Sequence, residues 1–443
     1  MVVKSSAGVC FIIIRSRYLS LMRVPPSSRQ FHAVLNQPLF WSWVDAAWPS
    51  RVLELASLRT EQKTITVHVA PQAQELILPR LPALRKLLTR TTSLTLYLPD
   101  SDNADYIANA FFFASDEHLP RRLEELVVRM DYAWMANETT RTIGNLVISQ
   151  EAYPKLAKLE LVARPAHRPQ INRLSSVIDF TITSWKPEDL RNILQVLGNL
   201  PNIQTLRLAM DRYAYRDDPP NNTGLGVAVD LPELTLLHIT DIHLELEDLR
   251  VFLEAVKIPI ACELKLQAFS RPADVDETIG LLTRQPFLIQ TMDELIGRDW
   301  IKIEMDIETM TIRFGDKFRW DIYGHDMDIW GETDEEEMDV RNDHKFLWPM
   351  VSAITRDGRF NRMRSFTIDV GYFLPDHLKP YEDDEVLATR APASVWEDVG
   401  RNCHLLERLT VKWGTMDTLI DTIEDLELFP ASSTALILKS SSC

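Results

Sequence analysis

A chain of 443 residues exceeds what one compact hydrophobic core accommodates, leaving either two or three globular domains or one solenoid whose repeats touch only their neighbours. Its 45% hydrophobic and 25% charged residues exclude wholesale disorder. With 48 Lys+Arg against 64 Asp+Glu the formal charge is -16, which repels phosphate backbones and acidic headgroups, so neither nucleic acid nor a membrane is expected as the main partner.

In chain order, the apolar run of GVCFIIIRSR breaks at Arg15 with no small-residue cleavage pattern beside it, so secretion is not expected. The triplets at Asn137 and Asn221 would be glycosylated only on a secreted chain. Cys10, Cys262, Cys403 and Cys443 stand far apart, with neither metal-site nor disulfide spacing, and read as reduced thiols of a cytoplasmic or nuclear protein. From Arg29 the chain runs RQFHAVLNQPLFWSWVDAAWPSRVLELASLRTEQKTITVHV, which gathers Trp41, Trp43 and Trp48 into one short stretch.

A phrase then recurs: LPRRLEELVVRM from Leu119, YPKLAKLELVA from Tyr153, LPNIQTLRLAM from Leu200, LPELTLLHIT from Leu231 and NCHLLERLTVKW from Asn402. In each, one apolar residue is followed three positions later by a second and two later by a third, as at Leu123, Leu126, Val128 and at Leu234, Leu237, Ile239. The last two alternate as a half-buried strand does. CELKLQAF, IETMTIRF from Ile307 and RMRSFTIDV from Arg362 are weaker copies.

Between strands lie amphipathic stretches. One carries Leu190, Ile193, Leu194 and Leu197, with Ser184 or Pro187 as its start and Gly198 as its stop; another carries Leu249, Phe252, Leu253 and Val256. A strand-loop-helix-loop unit with a period of roughly 26 to 33 residues predicts an α/β fold, an irregular leucine-rich-repeat solenoid (horseshoe), in which the Asn or Cys ladder position is mostly missing. Unrelated strand-helix units in ordinary α/β domains are the alternative.

After about Pro286 the period blurs. The chain reads as strand and turn followed by acidic insertions near 321–345 and 374–392, and it closes on a tail at 431–443.

The segment from Arg29 to Val69 resembles the closing part of the F-box in the expanded F-box proteins of fungi. Arg29, Phe31, Val34, Pro38 and Trp41 match the box, and Trp48, Arg51, Leu53, Leu58, Arg59, Thr66, Val67 and Val69 match the link to the first repeat strand. The opening Leu-Pro-x-Glu-like helix has no counterpart in residues 1–28, and Pro25 and Pro26 interrupt the place of a second helix. The resemblance therefore implies a short helical F-box-like N-terminal remnant and linker over 1–55, ahead of a solenoid over 56–430. It further implies the substrate-recognition subunit of a Skp-cullin-F-box ubiquitin ligase, binding an unknown protein substrate through its repeats and a Skp-type adaptor and cullin through the box. The implied adaptor contacts are Phe31, Val34, Leu35, Pro38, Leu39 and Trp41, with the tryptophans as anchors capping the solenoid's open end. A leucine-rich-repeat protein-binding scaffold without a ligase connection is the alternative, favoured by the missing first helix.

Catalysis is not expected, because GxSxG, P-loop and HExxH patterns are absent. Gly224 and Gly226 read as a turn. Asp326, Asp328, Glu332, Asp334 and Glu337 fall at calcium-loop spacing around Gly331, but Trp330 takes a ligand position and the preceding FRWDIYGH is a poor entering helix. A solvated acidic loop is the expected reading, with no metal and no cofactor. His238 and His243 read as a core or groove pair.

Overall fold

The computed structural model describes residues 38–60, 63–69, 74–98, 119–130, 147–162, 170–185, 190–210, 228–240, 246–259, 261–269, 300–305, 309–316, 318–323, 341–356, 363–370, 393–413 and 435–440. The chain divides into two compact units, Met1–Leu123 and Glu124–Cys443.

The first unit opens with a 3-10 turn, Pro38–Trp41, followed by β1 (Trp43–Asp45), α1 (Ser50–Arg59), β2 (Ile65–Val69), α2 (Gln74–Leu88) and β3 (Thr91–Leu98). β1, β2 and β3 lie side by side and parallel. In ITVHV, Ile65, Val67 and Val69 are fully buried while Thr66 and His68 are half-buried, the period of two that a one-sided strand requires. α1 turns Val52, Leu53 and Ala56 inward, and the Thr60 hydroxyl closes its end by donating to the Ala56 carbonyl at 2.7 Å.

The boundary expected at residue 55 falls inside α1. Within 1–55 the described residues hold one 3-10 turn, a short strand and the start of α1; residues 1–37 lie outside the described residues. Aromatic and β-branched residues suit a pleated surface, and Trp43–Asp45 is anchored to β2 through Thr66 N–H to Ser42 O at 2.7 Å and Ala46 N–H to His68 O at 2.9 Å.

The second unit contains β4 (Glu125–Met130), β5 (Val147–Ile148), β6 (Lys158–Val162), β7 (Gln170–Ile171), β8 (Asp179–Trp185), α3 (Leu190–Gly198), β9 (Thr205–Met210), β10 (Val229–Asp230), β11 (Leu236–Thr240), α4 (Leu246–Ala255), β12 (Val256–Lys257) and β13 (Glu263–Phe269). It continues with β14 (Trp300–Met305), β15 (Thr309–Phe314), β16 (Phe318–Tyr323), α5 (Arg341–Arg356), β17 (Ser365–Val370), α6 (Ala393–Asn402), β18 (Arg408–Trp413) and β19 (Ala435–Ser440). Its sheet order is β4-β6-β8-β9-β11-β13-β16-β15-β14-β17-β18-β19, with β5–β7 and β10–β12 as short parallel ribbons apart from it. The result is a mixed α/β arrangement around a large, mostly parallel sheet, consistent with a repeat solenoid.

Register explains the recurrent phrase. Leu126, Leu159, Phe180, Leu206, Leu237, Leu264 and Phe318 stand opposite one another on successive strands, and Val128, Leu161, Ile182, Leu208, Ile239, Leu266 and Trp320 form a second row. All are at most 1% exposed. The two preceding apolar positions are also buried, as at Tyr153 and Leu156, Leu200 and Ile203, and Leu231 and Leu234. The same spacing occupies Leu174, Val177, Phe180 and Ile182, a copy the leucine phrase did not reveal. α3 buries Leu190, Ile193, Leu194 and Leu197 and ends at Gly198, as its periodicity predicts. Ser184, one of its two expected starts, is instead part of β8. Val256 is buried but belongs to β12 rather than α4.

In place of a side-chain ladder, consecutive backbone N–H groups donate to one carbonyl of the preceding repeat. Ala157 and Lys158 bond Glu124 O, Ile178 and Asp179 bond Ala157 O, Gln204 and Thr205 bond Ile178 O, and Thr235 and Leu236 bond Gln204 O, at 2.8 to 3.0 Å. Asn199 Nδ2 to Ile171 O at 2.8 Å and Asn202 Nδ2 to Ser175 O at 2.7 Å add side-chain bridges between repeats. These bonds satisfy turn groups that would otherwise be costly to bury.

The blurred region after Pro286 is a meander. β15 runs antiparallel to β14 and β16, whereas β16 is parallel to β13 and β14 is parallel to β17. The first expected acidic insertion begins in β16 and ends in α5, and its residues 324–340 lie outside the described residues, as do 374–392. β19 forms within the stretch expected as a tail, paired in register with β18. Phe180→Ala is expected to destabilise the second unit by about 3–5 kcal/mol through lost burial and an unfilled cavity, whereas outward-facing Thr181→Ala stays within about 0.5 kcal/mol; chemical denaturation of the two variants compares them.

Candidate functional site

Strands whose alternate residues are buried turn the others outward in rows that share the same register. In β4 to β9 these rows mix signs. Lys158 Nζ meets Glu125 at 2.7 Å, Arg129 meets Glu160 at 3.0 Å and Arg207 meets Asp179 at 2.7 Å. The Lys158 pKa is raised, first by its hydrogen bond to Glu125 and against the opposing effect of burial. Such half-exposed pairs contribute little stability; they fix side-chain positions on the face.

From β9 onward the pattern changes. Arg207, His238, Lys265, Arg319, Arg313 and Lys302 occupy one cross-strand row. Beside it Asp321 is only 3% exposed: its carboxylate accepts from Thr311 Oγ1 at 2.7 Å, from Arg319 Nε at 2.9 Å to each oxygen and from Gln267 Nε2 at 3.4 Å. These donors come from β13, β15 and β16, so one carboxylate ties the meander to the parallel strands.

His238 projects outward from β11, with Thr240 Oγ1 2.9 Å from its Nε2, and His243 lies outside the described residues. Burial lowers the His238 pKa, and the positive charges of Lys265 and Arg207 lower it further. The unfolded chain then takes up a proton that the folded one resists, a penalty absent well above 6.5 and growing as pH falls through that value toward the lowered folded one. Melting temperatures at pH 8 and pH 5 are therefore expected to differ less in His238→Gln than in the wild type.

In the first unit the tryptophans pack internally. Trp41 and Trp48 are buried and meet edge to face at 6.4 Å and 86°. Trp43 contacts Trp48 at 6.0 Å and stacks on His68 at 5.8 Å and 25°, and His68 meets Tyr97 at 5.5 Å. The Arg59 guanidinium stands 5.7 Å from the centre of the Trp41 ring, a cation–π contact joining the end of α1 to the opening turn. Asp45 accepts the Ala47 N–H at 2.8 Å, and Arg80 donates to the carbonyls of Ala46 and Ala47, so the turn that delivers Trp48 is pinned from both sides.

Of the residues expected to touch an adaptor, Phe31, Val34 and Leu35 lie outside the described residues; Pro38 opens the 3-10 turn half-buried, Leu39 follows within it and Trp41 is buried. Sequence reasoning found the cluster but not its partners His68 and Tyr97, which meet it diagonally across the parallel strands β1, β2 and β3. The calcium-spaced acids Asp326, Asp328, Glu332, Asp334 and Glu337 and the Gly224/Gly226 turn are outside the described residues. Among the described residues no group of three or more His, Cys, Asp or Glu could hold a metal, and no helix is long and apolar enough to cross a membrane. Cys262 and Cys403 are free and buried, and burial pushes both thiols up to about 12; Cys10 and Cys443 lie outside the described residues.

No family model and no curated protein matches the chain. Among solved structures the chain is similar to the crystal structure of the Rad7 and Elc1 complex in yeast, at 12% identity over 98% of each chain and a TM-score of 0.18. A score that low bears on neither fold nor function.

Trp48→Ala is expected to destabilise the first unit by about 3–5 kcal/mol, whereas Leu58→Ala, at a side chain 74% exposed on α1, leaves its melting temperature within about 1 °C of wild type.

Proposed function

We propose that this chain is a non-catalytic substrate-recognition subunit of a Skp-cullin-F-box type ubiquitin ligase, cytoplasmic or nuclear, which binds its target through the outward face of the repeat sheet and a Skp-type adaptor through the segment around Phe31 to Trp41. One observation carries the reading: a stretch resembling the closing part of an F-box leads into strand repeats whose outward rows form a broad polar surface. A receptor of this kind raises the effective concentration of a bound target near the ubiquitin-charged enzyme and needs surfaces rather than catalytic groups. No cofactor is required for that role.

A second reading, a repeat scaffold with no ligase connection, is favoured by the burial of Trp41 against Trp48 and beneath Arg59, which commits that side chain to its own unit. Trp41→Ala would therefore confuse unfolding with lost docking, and the discriminating substitution is Phe31→Ala/Leu35→Ala. Co-purification of the full chain with a Skp-type adaptor is expected to capture the wild type and to lose at least about tenfold of that capture in the double variant, a difference of about 1.4 kcal/mol. A folded wild type that captures no adaptor leaves the scaffold reading.

A further inference from the structure

We draw no further inference here: the strongest candidate, the outward face of the repeat sheet over β9 to β16, matches Arg207, Lys265 and Arg319 with Asp179, Glu263 and Asp321, so it is balanced in charge and nothing in the structure shows what covers it.

Discussion

Everything in the second unit depends on register between neighbouring strands. A strand carries its apolar residues on alternate positions, so a slip of one residue would turn an entire buried set toward water. Pairs of backbone donors reaching one carbonyl of the preceding repeat, as from Gln204 and Thr205 to Ile178, hold the start of each strand at a fixed offset. With that offset fixed, two continuous apolar rows assemble beneath the sheet, and rows of outward side chains assemble on it. The charged surface and the core are two products of the same pairing.

This explains which parts were legible in the sequence. The spacing of apolar residues is local, so Leu231, Leu234, Leu237 and Ile239 could be placed on one buried face without knowing their neighbours. The inward stripe of α3 was readable for the same reason. The copy at Leu174, Val177, Phe180 and Ile182 escaped because it fills the same positions with other apolar residue types and lacks the Leu-Pro opening. Geometry at these sites selects for burial and shape, not for leucine.

What escaped otherwise is non-local. The basic row draws one residue from each of six strands, and nothing near Arg207 in the chain announces Lys302. The tryptophans were conspicuous, but whether Trp43 lies on a helix or a strand is decided by the backbone partners of Ser42 and Ala46 on β2. The meander was visible only as a loss of period, because β14, β15 and β16 follow one another within a few residues, with no room for a returning helix. Gly315, with φ of 55°, sits in the β15–β16 turn, where a left-handed residue lets an antiparallel pair close tightly.

The order of the meander also sets the order of assembly. In a simple solenoid each new strand can pair as soon as it leaves the ribosome, on the edge made by the strand before it. Here β14 follows β13 among the described strands but pairs with β15 and β17, while the edge of β13 pairs with β16. The partner for the β13 edge is therefore complete only once the chain has run through Tyr323. Local antiparallel pairs form within microseconds, far faster than synthesis adds residues. The reversed segment thus supplies the edge of β13 with a partner made of strands that are neighbours in the chain, and β17 to β19 extend the sheet from its far side.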